Sequence, residues 1–215
     1  MSGGAEEHEG SRTRGLFSAE RAKAYVDAVV AIAMTLLILP LMESVAEAAG
    51  KELSASEWLG EHWSQIISFV LSFFIIALFW IRHHQLFADV EAVSNTLLWI
   101  TVLWMLTIVW IPVSTAMTGQ LETGRVVEAL YIGSMIATCL CMIVTRRYLR
   151  RHPELHEVEP ESMRRGMLVD LSMGILYAVA LVLAMIVPQV GYFGLFVLLF
   201  VRTLANVLER SPIAR

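Results

Sequence analysis

The residues from Ala28 to Met42 carry no charge, and they follow a single carboxylate at Asp27. A helix over 22–43 is about 33 Å long at ~1.5 Å per residue, enough to cross a hydrocarbon core of about 30 Å. An ionisable side chain inside such a helix is costly unless it finds a polar partner or lines a polar space. This stretch therefore predicts a transmembrane helix, helix one, with a constrained carboxylate near its start.

Helix one also carries a pattern on one face. Ile32, Thr35, Leu36 and Leu39 follow i, i+3, i+4 and i+7, the spacing that aligns side chains along a helix. One hydroxyl among three bulky aliphatic side chains is compatible with a lipid-facing or packing surface. It is equally compatible with the wall of a narrow pore.

The rest of the chain repeats this membrane-length pattern. Apolar residues make up 57% of the sequence, and the mean hydropathy is +0.64, values typical of an integral membrane protein. Because backbone polar groups must be satisfied internally in lipid, each uncharged run is predicted to be a helix. The predicted fold class is an all-α integral membrane protein with six spans, at 22–43, 63–86, 94–117, 126–147, 166–187 and 189–209. Residues 1–18 are predicted to be a disordered tail, 19–210 the transmembrane domain and 211–215 a short C-terminal tail.

Positive charge predicts the orientation. If both termini lie on one side, the opposite side keeps only Lys51 and Arg125 of the 16 basic residues. Such a bias places both termini and the loop around 146–165 in the cytoplasm of a multi-pass plasma-membrane protein. The basic inner face suits a bilayer with anionic headgroups.

Helix two ends with adjacent histidines, His83 and His84, which point about 100° apart on a helix. We expect one to face inward, where it is a candidate partner for Asp27, and the other to meet the cytoplasmic interface. Asn95, near the inner end of helix three, is a candidate third member of this network. Asp170 is expected to pair with a basic residue near the inner surface, for which the candidates are Arg164, Arg165 and Arg202.

Several function classes lack their sequence signatures. No Walker motif, HExxH, nucleophile elbow or Gly-rich dinucleotide motif is present, and no loop is long enough for an enzyme domain. We therefore predict that the protein is not an enzyme, has no cofactor or metal centre, and does not bind nucleic acid. The potassium-channel filter sequence TVGYG is also absent.

Four short segments together resemble the transmembrane protein 175 family of endosomal and lysosomal potassium channels and their prokaryotic six-helix homologues. Helix one has the pattern R-x5-D-A-x3-I-x2-T-L-x2-L-P over 21–40. Helix two ends in F-W-x2-H-H-x2-F over 79–87, and helix three contains N-x3-W from Asn95 and P-x2-T from Pro112. The family's usual Phe-Ser-Asp is replaced here by Tyr25-Val26-Asp27, so any hydrogen bond made by that serine is missing.

The resemblance implies a homotetrameric potassium channel in which helix one of each subunit lines a central pore without a carbonyl filter. Ile32 then occupies the narrow hydrophobic constriction, Thr35 a hydroxyl-bearing position beside it, and Leu36 and Leu39 continue the lining. Potassium is the permeant ion, with a modest preference over sodium. The resemblance assigns a structural role at the cytoplasmic end of helix one to Arg21, Asp27, His83 or His84, and Asn95.

A different function class is left open by the titratable residues. A proton-coupled secondary transporter would use Asp27, Asp170 and the two histidines, His83 and His84, as a proton relay. It predicts saturable flux coupled to pH, whereas a channel predicts flux that does not saturate.

Overall fold

Five helices are long and apolar enough to cross a membrane in the computed structural model, which describes residues 16–121 and 124–186. They correspond to the first five predicted spans and make the chain a multi-pass membrane protein whose membrane spans are all helices. The predicted sixth span (189–209), the predicted end of the transmembrane domain at 210 and the predicted C-terminal tail (211–215) lie outside the described residues. The spans cover Ala19–Gly50, Trp63–Phe87, Asn95–Gln120, Arg125–Arg151 and Pro160–Ile186.

The first span consists of two helices, α1 (Ala19–Leu36) and α2 (Leu39–Gly50), separated by a two-residue turn. Pro40 explains the break, because it has no N–H to donate to the carbonyl of Leu36 and its ring clashes with that carbonyl. The predicted span ended at 43, but α2 continues through the small residues that follow. Helix one is therefore longer than predicted and is interrupted near its middle.

The second span is preceded by a short surface helix, α3 (Ala55–Glu61). Ser54 and Glu57 form a capping box at its start, in which the Ser54 backbone N–H donates to Glu57 Oε2 at 2.8 Å. Helix α4 (Trp63–Phe87) begins two residues after α3 ends.

A two-stranded antiparallel sheet joins the start of helix one to the start of the third span. Strand β1 (Leu16–Ser18) pairs with β2 (Ala92–Ser94), with Ser18 opposite Ala92. Residues 16–18 were predicted to belong to a disordered tail, and for these three residues that prediction is wrong. The backbone hydrogen bonds to β2 supply the order that this short segment lacks on its own.

The last three described helices form the most extensive packing in the part of the chain that the structure describes. Helices α5 (Asn95–Gln120), α6 (Arg125–Arg151) and α7 (Pro160–Ile186) pack in sequence order, and α1 packs against α5 and α4. Fully buried side chains from four helices meet at the centre, among them Phe79, Trp104, Met135 and Tyr177. This core leaves the two faces of helix one in different environments.

Hydroxyl groups connect the helices within the apolar region. Ser72 Oγ on α4 lies 2.8 Å from Tyr131 Oη on α6, and Thr115 Oγ1 on α5 lies 2.8 Å from the same serine oxygen. Without water, such groups need protein partners, and pairing across helices also fixes their register. This cluster holds α4, α5 and α6 together at one depth.

Candidate functional site

One face of helix one is not covered by the chain's own fold. The side chains of Ile32, Leu36 and Leu39 are 59%, 38% and 51% exposed, and Thr35 is exposed as well. We call these four residues the open face. On the other side of the same helix, packed against α5 and α4, lie the buried residues Val26, Val30, Ala33 and Leu37.

The division follows from the helix period. The buried positions recur at intervals of three and four residues, so they form one stripe, and the open face is the stripe opposite. All four residues that the sequence pattern aligned therefore share one surface. Their assignment as pore lining remains a prediction, since a surface open in one protomer is either lipid-facing or covered by other copies.

Thr35 and the helix break give the open face local polarity. The Thr35 hydroxyl donates to the carbonyl of Ile32 at 2.8 Å, which leaves its oxygen able to accept from or coordinate another group. One residue later, the Leu36 carbonyl lacks its usual helical donor because residue 40 is proline. Two polar oxygens thus occur in an otherwise apolar stretch of helix.

Asp27 is held by a residue that the sequence interpretation did not select. Trp80 on α4 donates its indole N–H to Asp27 Oδ1 at 2.8 Å. His84, which is exposed, packs its ring against the same indole at 5.6 Å between centroids. Two features could have identified Trp80 from the sequence. A partly buried indole N–H needs a hydrogen-bond acceptor, and Trp80 lies four residues before His84 on the same helix.

His83 lies in a different environment from its neighbour. It is buried between the rings of Phe87 and Trp104, each 4.2 Å away between centroids. Within the described residues its Nε2 has no hydrogen-bond partner. One histidine is therefore inward and one outward, as expected, but the predicted His–Asp27 hydrogen bond is replaced by the bond from Trp80.

The other residues near the start of helix one do not converge on Asp27. Arg21 is exposed, and Asn95 is exposed as the first residue of α5. Lys23 Nζ donates to the backbone oxygen of Ala88 at 3.2 Å and lies 3.5 Å from Glu20. This end of helix one is thus tied to α4 through Asp27 and to the loop after α4 through Lys23.

Asp170 pairs with different arginines from those predicted. Its Oδ1 accepts from Arg82 Nε at 2.9 Å and Nη2 at 2.6 Å, and its Oδ2 accepts from Arg146 Nε at 2.5 Å. Arg164 and Arg165, two of the predicted partners, instead bind Glu161 on their own helix. The third, Arg202, lies outside the described residues. We call Arg82, Asp170 and Arg146 the arginine–aspartate triad.

The described part of the chain contains no group of three His, Cys, Asp or Glu side chains arranged to hold a metal ion.

Comparison with known proteins assigns the fold and the family. The family model described as "Endosomal/lysosomal potassium channel TMEM175" matches residues 21–112, which contain nearly all of helix one, the whole second span and most of the third. The crystal structure of a lysosomal potassium-selective channel TMEM175 homolog from Chamaesiphon minutus superimposes with a TM-score of 0.68. It is 23% identical, and the match covers 87% of this chain and 98% of that one, so it establishes a shared fold.

Similarity to two curated relatives supports the family assignment. A protein named as a potassium channel from Streptomyces collinus is 31% identical over 141 residues, covering 64% of this chain and 67% of the relative. A second, from Chamaesiphon minutus, is 26% identical over 152 residues, covering 65% of this chain and 73% of the relative. With a matching family model, these similarities show that the chain belongs to the TMEM175 family.

Proposed function

We propose that this protein is a potassium channel whose pore is lined by the open face of helix one from several copies of the chain. The observation that carries the proposal is the exposure of Ile32, Thr35, Leu36 and Leu39 on a helix whose opposite side is buried. The relatives' names, which describe potassium channels, agree with it. Four copies are the expected assembly, because the family resemblance implies a homotetramer.

Ile32 is proposed as the hydrophobic constriction. A ring of isoleucines around an axis excludes water when it is narrow, and an ion cannot cross a dewetted gap without losing its hydration shell. A small rotation or tilt of α1 widens such a ring. The turn at Leu37–Ile38 separates α1 from α2, and it allows this movement without displacement of the whole 32-residue span.

Thr35 is proposed to act on the partly dehydrated ion. Its hydroxyl oxygen replaces one water of the ion's shell, and the Leu36 carbonyl, which has no N–H donor at residue 40, is proposed to supply a second oxygen. Potassium holds its water less tightly than sodium, so partial dehydration favours potassium to a modest extent. No TVGYG filter is needed for selectivity of this size.

The rival transporter is not favoured by the surroundings of its proposed relay groups. Asp170 is buried and accepts hydrogen bonds from two guanidinium groups. His83 is enclosed by two aromatic rings. A proton relay needs groups that exchange protons with water or with each other, whereas Asp170 and His83 are both buried, at 2% and 3% exposure.

Flux measurements in proteoliposomes test the channel proposal. We expect potassium uptake that exceeds sodium uptake and does not saturate. Ile32→Asn should increase flux by hydrating the constriction, and Thr35→Ala should reduce the preference for potassium. Leu106→Asn is the matched control, because Leu106 is 63% exposed and lies on α5, not on helix one. Saturable flux that follows a proton gradient, or equal effects of Ile32→Asn and Leu106→Asn, would contradict the proposal.

A further inference from the structure

The arginine–aspartate triad carries more positive than negative charge. Arg82 and Arg146 have side chains only 14% and 7% exposed, and the single carboxylate between them uses both of its oxygens. An uncompensated charge with so little access to water is costly. The excess of one positive charge therefore calls for a counter-ion beyond Asp170.

A cavity of about 310 Å³ adjoins the triad at the end of the bundle where basic residues cluster. Arg82, Arg146 and Arg165 line it, together with Ser162 and Gly166. Within the described residues, Arg146 donates hydrogen bonds only through its Nε, so the terminal nitrogens of this guanidinium remain as donors beside the cavity. The volume accommodates a tetrahedral oxyanion with its substituent.

Gly166 leaves room for the guanidinium group of Arg146. A Cβ atom at this position would lie 2.3 Å from the Cζ and Nη1 atoms of Arg146. Any side chain here would displace the guanidinium, so the absence of one allows Arg146 to lie directly over the backbone of α7. The carbonyl of the same glycine accepts from Arg82 Nη2 at 3.2 Å, which fixes the second guanidinium beside it.

Two acidic residues also line the cavity, and one of them is already engaged. Glu161 pairs with Arg164 at 3.3 Å and with Arg165 at 2.8 Å. Glu159 is exposed in the loop before α7. Among the described residues that line the cavity, Glu159 is the one carboxylate without an ion pair. It is therefore the competing candidate for the counter-ion.

We propose that the cavity binds a phosphoryl oxyanion, held by the guanidinium groups of Arg82 and Arg146. Arginine forks match the paired oxygens of phosphate in geometry as well as charge, and they do so best where water is scarce. The source is either free phosphate or the phosphate of an anionic lipid headgroup, since both present the same oxyanion. This site lies between α4, α6 and α7, away from the open face, and it does not depend on the channel proposal.

Thermal unfolding of the detergent-solubilised protein tests the proposal and separates the two sources. Inorganic phosphate is titrated into chloride buffer at constant ionic strength, and phosphatidylglycerol is titrated in parallel, with phosphatidylcholine as the lipid control. A saturable rise in the unfolding midpoint with phosphate alone indicates a free anion, and a rise with phosphatidylglycerol alone, or with both, indicates a site open to lipid. No rise with either overturns the proposal.

Substitutions on the cavity wall identify where the anion binds. Ser162→Asp places a carboxylate in the first turn of α7, where the helix dipole favours it, and it should weaken phosphoryl binding at least about tenfold by repulsion. Ser56→Asp, in the first turn of α3 at the other end of α4, is the matched control and should leave binding unchanged. An undiminished response in Ser162→Asp would show that the anion binds elsewhere, which overturns the proposal.

Glu159→Gln distinguishes the bound anion from the competing counter-ion. If the cavity binds a phosphoryl group, removing this negative charge should tighten binding severalfold, whereas Glu157→Gln, an exposed residue that does not line the cavity, should have no effect. If Glu159 itself neutralises the arginines, Glu159→Gln should lower the unfolding midpoint in chloride buffer and leave binding no tighter. That second outcome also overturns the proposal.

Discussion

Replacing Asp170 by Asn should be among the most destabilising conservative changes in this protein. The substitution keeps the shape of the side chain but removes the charge that faces two guanidinium groups, and the Asn amide turns a donor toward a donor. Asp170 is 2% exposed and accepts three hydrogen bonds from Arg82 and Arg146. Removing one partner of a buried ion pair costs about 3–5 kcal/mol, because a charge is left without compensation. We expect a loss in that range.

Because the triad carries one more positive than negative charge, removing an arginine charge should destabilise the protein less than removing the Asp170 charge. Arg82→Gln leaves Arg146 and Asp170 as a neutral pair, so the loss is limited to the hydrogen bonds of one charged group, about 1.5–3 kcal/mol. Glu161→Gln is the control for removal of an acid, since its bonds to Arg164 and Arg165 are half-exposed and exposed ion pairs contribute little to stability.

The assay is equilibrium unfolding in mixed micelles, followed by circular dichroism, in chloride buffer without phosphate. The free energies of unfolding should fall in the order wild type, Glu161→Gln, Arg82→Gln and Asp170→Asn, with the last least stable. A cost for Arg82→Gln equal to or greater than that for Asp170→Asn would refute the reasoning that the triad holds an excess positive charge.

Three further changes test local features of the fold. Trp80→Phe should cost about 1–3 kcal/mol in the same unfolding assay, because it leaves the Asp27 carboxylate without its donor. Tyr131→Phe should cost about 0.6 kcal/mol, since it removes one interhelical hydrogen bond to Ser72 within the membrane; a loss above about 2 kcal/mol would indicate that the hydroxyl cluster acts as a unit. Two hydrogen bonds from Ser54 lower the pKa of Glu57, the larger effect coming from the Ser54 side chain and the smaller from its backbone N–H. A lowered folded-state pKa contributes stability above the ordinary value and loses it as the pH falls through the folded value. The protection of the α3 amides, measured as exchange relative to the intrinsic rate at each pH, should therefore fall below about pH 4.5, and protection that does not change with pH would contradict this.

Much of the fold was predictable because membrane spans follow directly from hydropathy. The second, third and fourth predicted spans match α4, α5 and α6 with ends that differ by a few residues. The extension of helix one to Gly50 was missed, because the acidic residues after Met42 suggested a loop although alanines maintain the helix between them. The strand at 16–18 was missed because its order comes from pairing with residues more than 70 positions away.

The site was predictable where it depended on one helix and not where it depended on two. The helix period alone placed Ile32, Thr35, Leu36 and Leu39 on one surface. The partner of Asp27 required knowledge of how α1 and α4 are rotated against each other, and that rotation presents Trp80, not His83. The partners of Asp170 likewise come from two other helices, whereas local spacing favoured the nearby Arg164 and Arg165, which Glu161 occupies.

The most direct test of the pore assignment is a cysteine-accessibility measurement on helix one. Ile32, Thr35 and Leu39 are replaced by Cys one at a time, and potassium flux is recorded before and after a charged thiol reagent. The native Cys139 and Cys141 are buried, so wild type serves as the background, and Leu106→Cys serves as the exposed control on α5. We predict that the reagent blocks flux through the three helix-one variants and leaves wild type and Leu106→Cys unchanged. Flux that is insensitive at all three positions would contradict a pore lined by helix one.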